Sequence, residues 1–296
     1  MTGIRDVREG VDDFRAWATD PRPRVPYGIP FIDLATNGGM ARSEITQLMA
    51  FSSVGKTTIA LNIIRNNPDV PTLLQSLEMS WRMVVVRLAA MTYGVSTRYL
   101  EEELKAGRVP KELVDVADRF PHLICDDTPA LSYKAANDSF NKAADRIGAA
   151  PRIVVWDYLE LIGGAGMLGK AEQVDRTAQK GRDWTREHDT HSVFVHQVGK
   201  GDSGGDVPLS MDSGRYGGFQ PFDCIIGAYA PRLERGLSQS GFDAVKDDVY
   251  IQLLKNRAGQ SQPVGVKHRL DHQTLRLDPY QRPTYRTYTT QGTLDS

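Results

Sequence analysis

Ala50-Phe51-Ser52-Ser53-Val54-Gly55-Lys56-Thr57-Thr58 decides how this chain is read. An apolar stretch, residues 44–50 (EITQLMA), leads into it, and a helix-forming stretch, residues 56–66 (KTTIALNIIRN), leads out. Strand, tight loop and helix in that order make an anion cradle, because loop N–H groups and the positive end of the helix point at one spot. Residues 50–58 are therefore the expected nucleotide-phosphate site. Lys56 has the reach for β- and γ-phosphates, and the Thr57 hydroxyl suits Mg²⁺. Ala50 stands where the general GxxxxGK[ST] pattern has glycine. A coincidental surface loop is the competing reading, but it gives little reason for Gly-Lys-Thr-Thr at a strand-to-helix junction.

Three other strand ends extend this reading. Ile153-Val154-Val155-Trp156-Asp157 is an apolar run closing on a carboxylate, which is costly there unless partnered. Asp157 is a candidate to hold Mg²⁺ directly or through water; capping of the following turn is the alternative. Glu78, in Gln75-Ser76-Leu77-Glu78-Met79-Ser80, is the candidate for orienting an attacking water. It could instead complement a helix dipole. Gln197, closing Phe194-Val195-His196-Gln197, is a candidate γ-phosphate sensor, against an amide that satisfies local backbone.

Farther out, Val-, Ile- and Leu-rich strands alternate with helices. Strands are expected at 72–78, 122–127, 152–162, 191–198, 222–230 and 247–257, and helices at 80–94, 132–147 and 171–188. The pattern implies an α/β fold with a buried, mostly parallel β-sheet flanked by helices, and such sheets bind ligands at the carboxyl ends of their strands. Upstream, Ile4, Val7, Val11, Phe14 and Trp17 share one face of a short amphipathic helix (residues 4–18), and a Pro-rich segment follows. That helix packs on its own domain or docks on a neighbouring subunit. The tail after Leu277 is polar, with Tyr280 placed to pack near a nucleotide base.

Composition narrows the class. The 296 residues are 40% hydrophobic and 25% charged, which excludes a mainly disordered chain and a disulfide miniprotein. The net charge of −1 leaves no overall basic field, so a nucleic-acid site must be a local patch. No apolar run approaches the ~18 residues of a membrane span, and the first residues lack a signal-peptide core. Cys125 and Cys224 read as buried free thiols, consistent with the cytoplasm. His188 and His191 find no further ligands for a zinc set.

Six stretches together carry a resemblance. They are residues 28–34 (GIPFIDL), the loop beginning at Ala50, residues 76–80 (SLEMS), 126–131 (DDTPAL), 157–162 (DYLELI) and Lys255-Asn256-Arg257-Ala258-Gly259. Their order and spacing resemble the RecA-type ATPase domain of DnaB-like replicative helicases over about residues 25–275. The resemblance implies a RecA-like P-loop NTPase core using ATP and Mg²⁺, in a ring or open-spiral hexamer with ATP between subunits. Gly55, Lys56, Thr57, Glu78 and Asp157 would act in one subunit, while Lys255 and Arg257 reach the neighbour's γ-phosphate. It also implies 5′-to-3′ translocation on single-stranded DNA in replication, a primase or loader as partner, and no membrane association. The trimmed form suggests a phage- or plasmid-encoded protein.

The resemblance divides the chain into a linker helix and Pro-rich linker (1–27), a RecA-like ATPase/helicase domain (28–277) and a polar tail (278–296), without the family's usual N-terminal helical domain. Its sensor stretch departs from the family's Ser-Gln-Leu-Asn-Arg, reading His196-Gln197-Val198-Gly199-Lys200. Two Gly-rich loops, 163–170 and 199–220, are the expected DNA-facing segments, with flexible loops carrying incidental charges as the competing reading. Lys170, Lys200, Arg215 and Gly217 are the candidate contacts, Tyr216 a stacking residue, and Phe219 a stacking residue or one packed under the loop. The alternative function is a RecA-fold recombination or regulatory ATPase that binds DNA or a partner without unwinding.

Overall fold

Six aliphatic strands lie parallel: β3 (Ile45–Ala50), β4 (Thr72–Ser76), β5 (Leu123–Asp126), β6 (Ile153–Asp157), β7 (His191–Gln197) and β8 (Cys224–Tyr229). The computed structural model that shows this describes residues 6–20, 23–128, 132–159, 162, 170–198, 204–213 and 219–279. Three antiparallel strands, β9 (Asp248–Asn256), β10 (Gln262–Leu270) and β11 (Leu277–Pro279), extend one side. The nine strands run in the order β11-β10-β9-β8-β3-β7-β6-β4-β5, so the strand that opens the phosphate loop is central. All six residues of β3 are buried, as a parallel strand covered on both faces requires.

Side-chain alternation separates the two faces. Trp156 points to one, where it stacks on Phe194 at 5.3 Å and meets Trp184 edge-on at 5.0 Å. Trp184 belongs to α8 (Lys170–Glu187), which lies beside α7 (Tyr133–Ile147). Its Gly181 has a physical reason: a Cβ there would stand 2.6 Å from the Phe194 ring. The next residue after Trp156, Asp157, points to the opposite face, where α3 (Lys56–Arg65) and α4 (Trp81–Tyr93) pack. Two short helices, α5 (Thr97–Lys105) and α6 (Lys111–Arg119), rest on α4. The expected strands and long helices form within a few residues of their expected bounds. The chief exception is 152–162, which leaves the sheet after Asp157.

The segment expected as a linker is partly built into the body. β1 (Arg24–Val25) pairs with β2 (Met40–Ala41), and Tyr27 is buried. Just beyond it, Asp33 of α2 (Pro30–Ala35) accepts the N–H groups of Tyr27 and Gly28, at 2.6 and 3.0 Å. The upstream helix α1 (Val7–Ala18) starts on an Asp6/Glu9 capping box, yet buries none of its residues. Val7 is 85% and Phe14 64% exposed; Trp17 stacks on Phe14 and lies under Arg24. Ile4 lies outside the described residues, as does Tyr280, while Asp278 and Pro279 complete β11. Among the described residues no helix is long and apolar enough to cross a membrane. Cys224 is buried and Cys125 half-buried, and burial pushes both thiols up to about 12.

A buried polar chain ties the lead-in segment to the sheet. His191 Nδ1 donates to the Ala41 carbonyl at 2.7 Å, leaving Nε2 to accept the Thr46 hydroxyl at 3.0 Å; that hydroxyl in turn accepts from Tyr27 at 2.6 Å. Burial holds His191 neutral, with its pKa lowered to about 4. The unfolded chain thus binds the proton first, and stability falls as pH drops from about 6.5 towards 4, by at most about 3 kcal/mol. Chemical denaturation between pH 7.5 and 4.5 should show a steeper loss for the native chain than for His191→Gln.

Candidate functional site

The phosphate loop is held open by one glycine and tied down by one arginine. Gly55 takes φ 114°, ψ 36°, a conformation that L side chains rarely adopt, and so turns the chain from loop into α3. Ser53 also has positive φ, 69°. Arg232, in a short helical turn from α9's side of the sheet (Pro231–Leu233; α9 spans Gln239–Val245), donates to the carbonyls of Ser53 and Val54 at 2.9 and 3.1 Å. These bonds tie the loop to the turn that follows β8.

Four of the expected residues meet at this edge of the sheet. Thr57 donates its hydroxyl to Asp157 Oδ2 at 2.8 Å. Gln197 Nε2 donates to Ser52 Oγ at 2.9 Å, and Lys56 Nζ reaches the Phe51 carbonyl at 3.4 Å. Register explains the meeting: β3, β7, β6 and β4 are neighbours, and all end at the same edge. Glu78 lies just past β4 and is exposed, and the Leu77 N–H donates to the Asp157 carbonyl at 2.8 Å.

Asp157 is buried, and burial raises its carboxyl pKa to about 6; the Thr57 hydrogen bond opposes that, Glu78 adds to it, and Lys56 and Arg87 oppose it. Its Oδ1 is buried without a hydrogen-bond partner among the described residues. An orphaned carboxylate oxygen beside a threonine hydroxyl, both hard oxygen donors, suits Mg²⁺.

The structure does not bring Lys255 and Arg257 to this cluster. They lie at the far end of β9, paired with the start of β8 (Lys255 opposite Ile225, Asn256 opposite Cys224). That is the amino-terminal edge of the parallel strands, one length of β3 away: six residues, or roughly 20 Å. Lys255 Nζ donates to the carbonyls of Phe219 and Gln220, both at 3.2 Å, and Arg257 to Asp223 Oδ1 at 2.8 Å and the Gln220 carbonyl at 3.2 Å.

The profile of the DnaB-like helicase C-terminal domain family matches residues 25–275. The chain belongs to that family. It is 25% identical over 189 residues to the replicative DNA helicase DnaB of Nostoc sp., a match covering 60% of the chain and 21% of that protein. With the replicative DNA helicase DnaB of Treponema pallidum it shares 27% over 220 residues, 71% of the chain and 49% of the relative. The chain therefore spans less than half the length of these relatives. Among solved structures, an isolated ATPase domain superposes with a TM-score of 0.78 at 19% identity, covering 94% of this chain and all of that one. A DnaB-like replicative helicase described with its primase interactions gives 0.74 at 19% identity, over 95% of this chain and 68% of that one. The RecA-type α/β fold is thus shared with DnaB ATPase domains.

The expected DNA contacts Lys200, Arg215 and Gly217 lie outside the described residues, as do Tyr216 and the side chain of Lys170. Phe219 is half-buried and packs against the core. His188 stacks on Trp184 at 4.1 Å, and His191 is spent on the buried chain above. Reading the sequence missed Arg232, Arg182 and Asp223. No local spacing marks them, since their partners lie at least 16 positions away.

Gly55→Ala forces a side chain into a backbone conformation that strains it, and its Cβ would touch Leu270 at 3.4 Å. The expected result is a loss of about 1–3 kcal/mol in urea denaturation. Binding of a fluorescent ATP analogue should fall with it.

Proposed function

We propose that this DnaB-like chain is the ATP-hydrolysing subunit of a helicase that translocates 5′-to-3′ on single-stranded DNA during replication. One observation carries the reading. The phosphate loop with Thr57, Asp157 and Gln197 occupies one edge of the sheet, and the cationic pair Lys255 and Arg257 occupies the opposite edge. Neither edge makes a complete phosphoryl-transfer site, but a head-to-tail neighbour brings them together, and such an interface closes into a ring or continues as a spiral. The hexamer is the proposed assembly. The exposed apolar stripe of α1 supports it, as a surface for the adjacent subunit.

Each residue then has a task. The N–H groups of residues 51–58 and the α3 N-terminus cradle the β- and γ-phosphates, and Lys56 neutralises them. Thr57 and Asp157 would hold Mg²⁺, which supplies further charge neutralisation at the phosphate oxygens. Glu78, exposed beside the cluster, orients the attacking water and takes its proton. Gln197 bridges the loop to β7 and senses the γ-phosphate. Arg257 and Lys255 of the neighbour stabilise the charge that spreads over the transferring phosphoryl group. Hydrolysis therefore requires assembly.

Residues 28–277 form the ATPase unit in this reading, with 1–27 as linker and 278–296 as tail. Lys170, Lys200, Arg215 and Gly217 remain the proposed DNA contacts, gripping backbone without base preference. A primase or loader is the proposed protein partner, in keeping with the structural relative described with its primase interactions. The cytoplasm of a bacterial host is the proposed setting.

The test is steady-state ATPase on size-separated protein with and without single-stranded DNA. Stimulation confined to the large assembly, abolished by Lys56→Ala, is expected. Arg257→Ala should lower kcat by roughly a thousandfold while nucleotide affinity stays within about twofold. Full turnover by an isolated monomer, indifferent to DNA, would contradict the translocase and favour a regulatory ATPase.

A further inference from the structure

The far edge of the sheet holds a second cluster, built around one carboxylate. Asp223 precedes β8 and is 9% exposed. Its Oδ2 accepts the N–H of Ile45, the first residue of β3, at 2.9 Å. Its Oδ1 accepts from two guanidinium groups, Arg257 at 2.8 Å and Arg182 at 3.3 Å. The backbone reinforces this: the Asp223 N–H donates to Ile45 O, and the Arg257 N–H donates to Asp223 O, both at 2.9 Å.

The two arginines are not equivalent. The Arg182 side chain is 14% exposed and also donates to the Pro221 carbonyl at 2.6 Å, whereas the Arg257 side chain is 45% exposed. Arg182 is thus an inner, fixed partner, and Arg257 an outer one. Two guanidinium groups hold this carboxylate and Lys255 lies beside them on the carbonyls of Phe219 and Gln220, a local excess of positive charge suited to an incoming anion. The excess is felt locally: burial, then Arg257, lowers the Lys255 pKa.

This arrangement decides what happens when Arg257 leaves. Removing the partner of a buried carboxylate is normally costly, because the charge is left uncompensated. Here Arg182 and the Ile45 N–H remain on Asp223, so Arg257 can pass to a phosphate without orphaning it.

We propose that Asp223, backed by Arg182, is the positioning residue for the Arg257 finger, holding its guanidinium at the edge from which it passes to the neighbouring subunit's γ-phosphate. This rests on the reading of Arg257 as a finger acting in trans.

Asp223→Asn tests it, since Asn preserves the volume and the acceptor for Ile45 but removes the charge. In the DNA-bound assembly, kcat should fall about tenfold while KM for ATP stays within about twofold, the signature of a contact needed chiefly in the transition state. Asp223→Glu should recover part of the loss. Asp223→Asn combined with Arg257→Ala should be no slower than Arg257→Ala alone, because both remove one device. Mixing Asp223→Asn subunits with Lys56→Ala subunits should restore turnover, since the former keep a sound phosphate loop and the latter a sound finger. Damage to β3, which leads into the phosphate loop, would give no rescue and would overturn the proposal.

An unchanged or raised kcat in Asp223→Asn, or an additive double variant, would also overturn it. If Arg257→Ala itself keeps full turnover, the finger reading fails and takes the proposal with it. If Asp223→Asn does not fold, Arg182→Lys goes through the same mixing, with a rescuable loss of kcat expected and no loss overturning the idea.

Discussion

Strand polarity is the constraint on which everything else in this molecule depends. In a parallel sheet every strand delivers its carboxyl end to one edge, so β3, β6, β7 and β4 bring the phosphate loop, Asp157, Gln197 and Glu78 together without any long-range design. The same polarity sends β9, running antiparallel, to finish at the other edge with Lys255 and Arg257. In the proposed reading one sheet makes two half-sites facing opposite ways, and a half-site that cannot be satisfied within the chain is a structural reason to assemble.

The electrostatics of the two edges are complementary. At the phosphate edge the buried acid Asp157 keeps one oxygen on Thr57 and one without a partner among the described residues, a place for a cation to enter. At the opposite edge two guanidinium groups share the buried carboxylate of Asp223, with Lys255 beside them on the carbonyls of Phe219 and Gln220. Each edge is anchored to rigid structure, the first through Arg232 and the loop carbonyls, the second through Ile45 at the root of the same strand. The two half-sites sit at the two ends of β3, a strand buried along its whole length.

Much of this was legible in the sequence where the signal is local. Gly55-Lys56-Thr57 announces a cradle through spacing alone, and Asp157 through the oddity of a charge closing an apolar run. The parallel strands read as Val- and Ile-rich runs because they are covered on both faces. Weak signals failed. The helices α5 and α6 are only nine residues long and bury one residue each, Leu100 and Val116, so each offers little more than two turns of pattern to read. β10 carries Pro263 and Gly265 and leaves Val264 exposed, which hides its alternation. The Pro-rich segment read as linker because prolines break helices, yet Val25 and Tyr27 within it are buried. Nothing local pairs Asp223 with Arg182 or Ile45, which lie 41 and 178 positions away; only the folded sheet does that.

The central claim is that the ATP site is divided between two copies of the chain. The most direct measurement is ATP turnover across a mixing series of Lys56→Ala and Arg257→Ala subunits, each inactive alone, with mixed assembly verified by mass. The divided site predicts activity that rises to a maximum near equal proportions, because some interfaces then join a sound phosphate loop to a sound finger. Turnover that stays at the level of the separate variants across the whole series, in proven mixed assemblies, would contradict it.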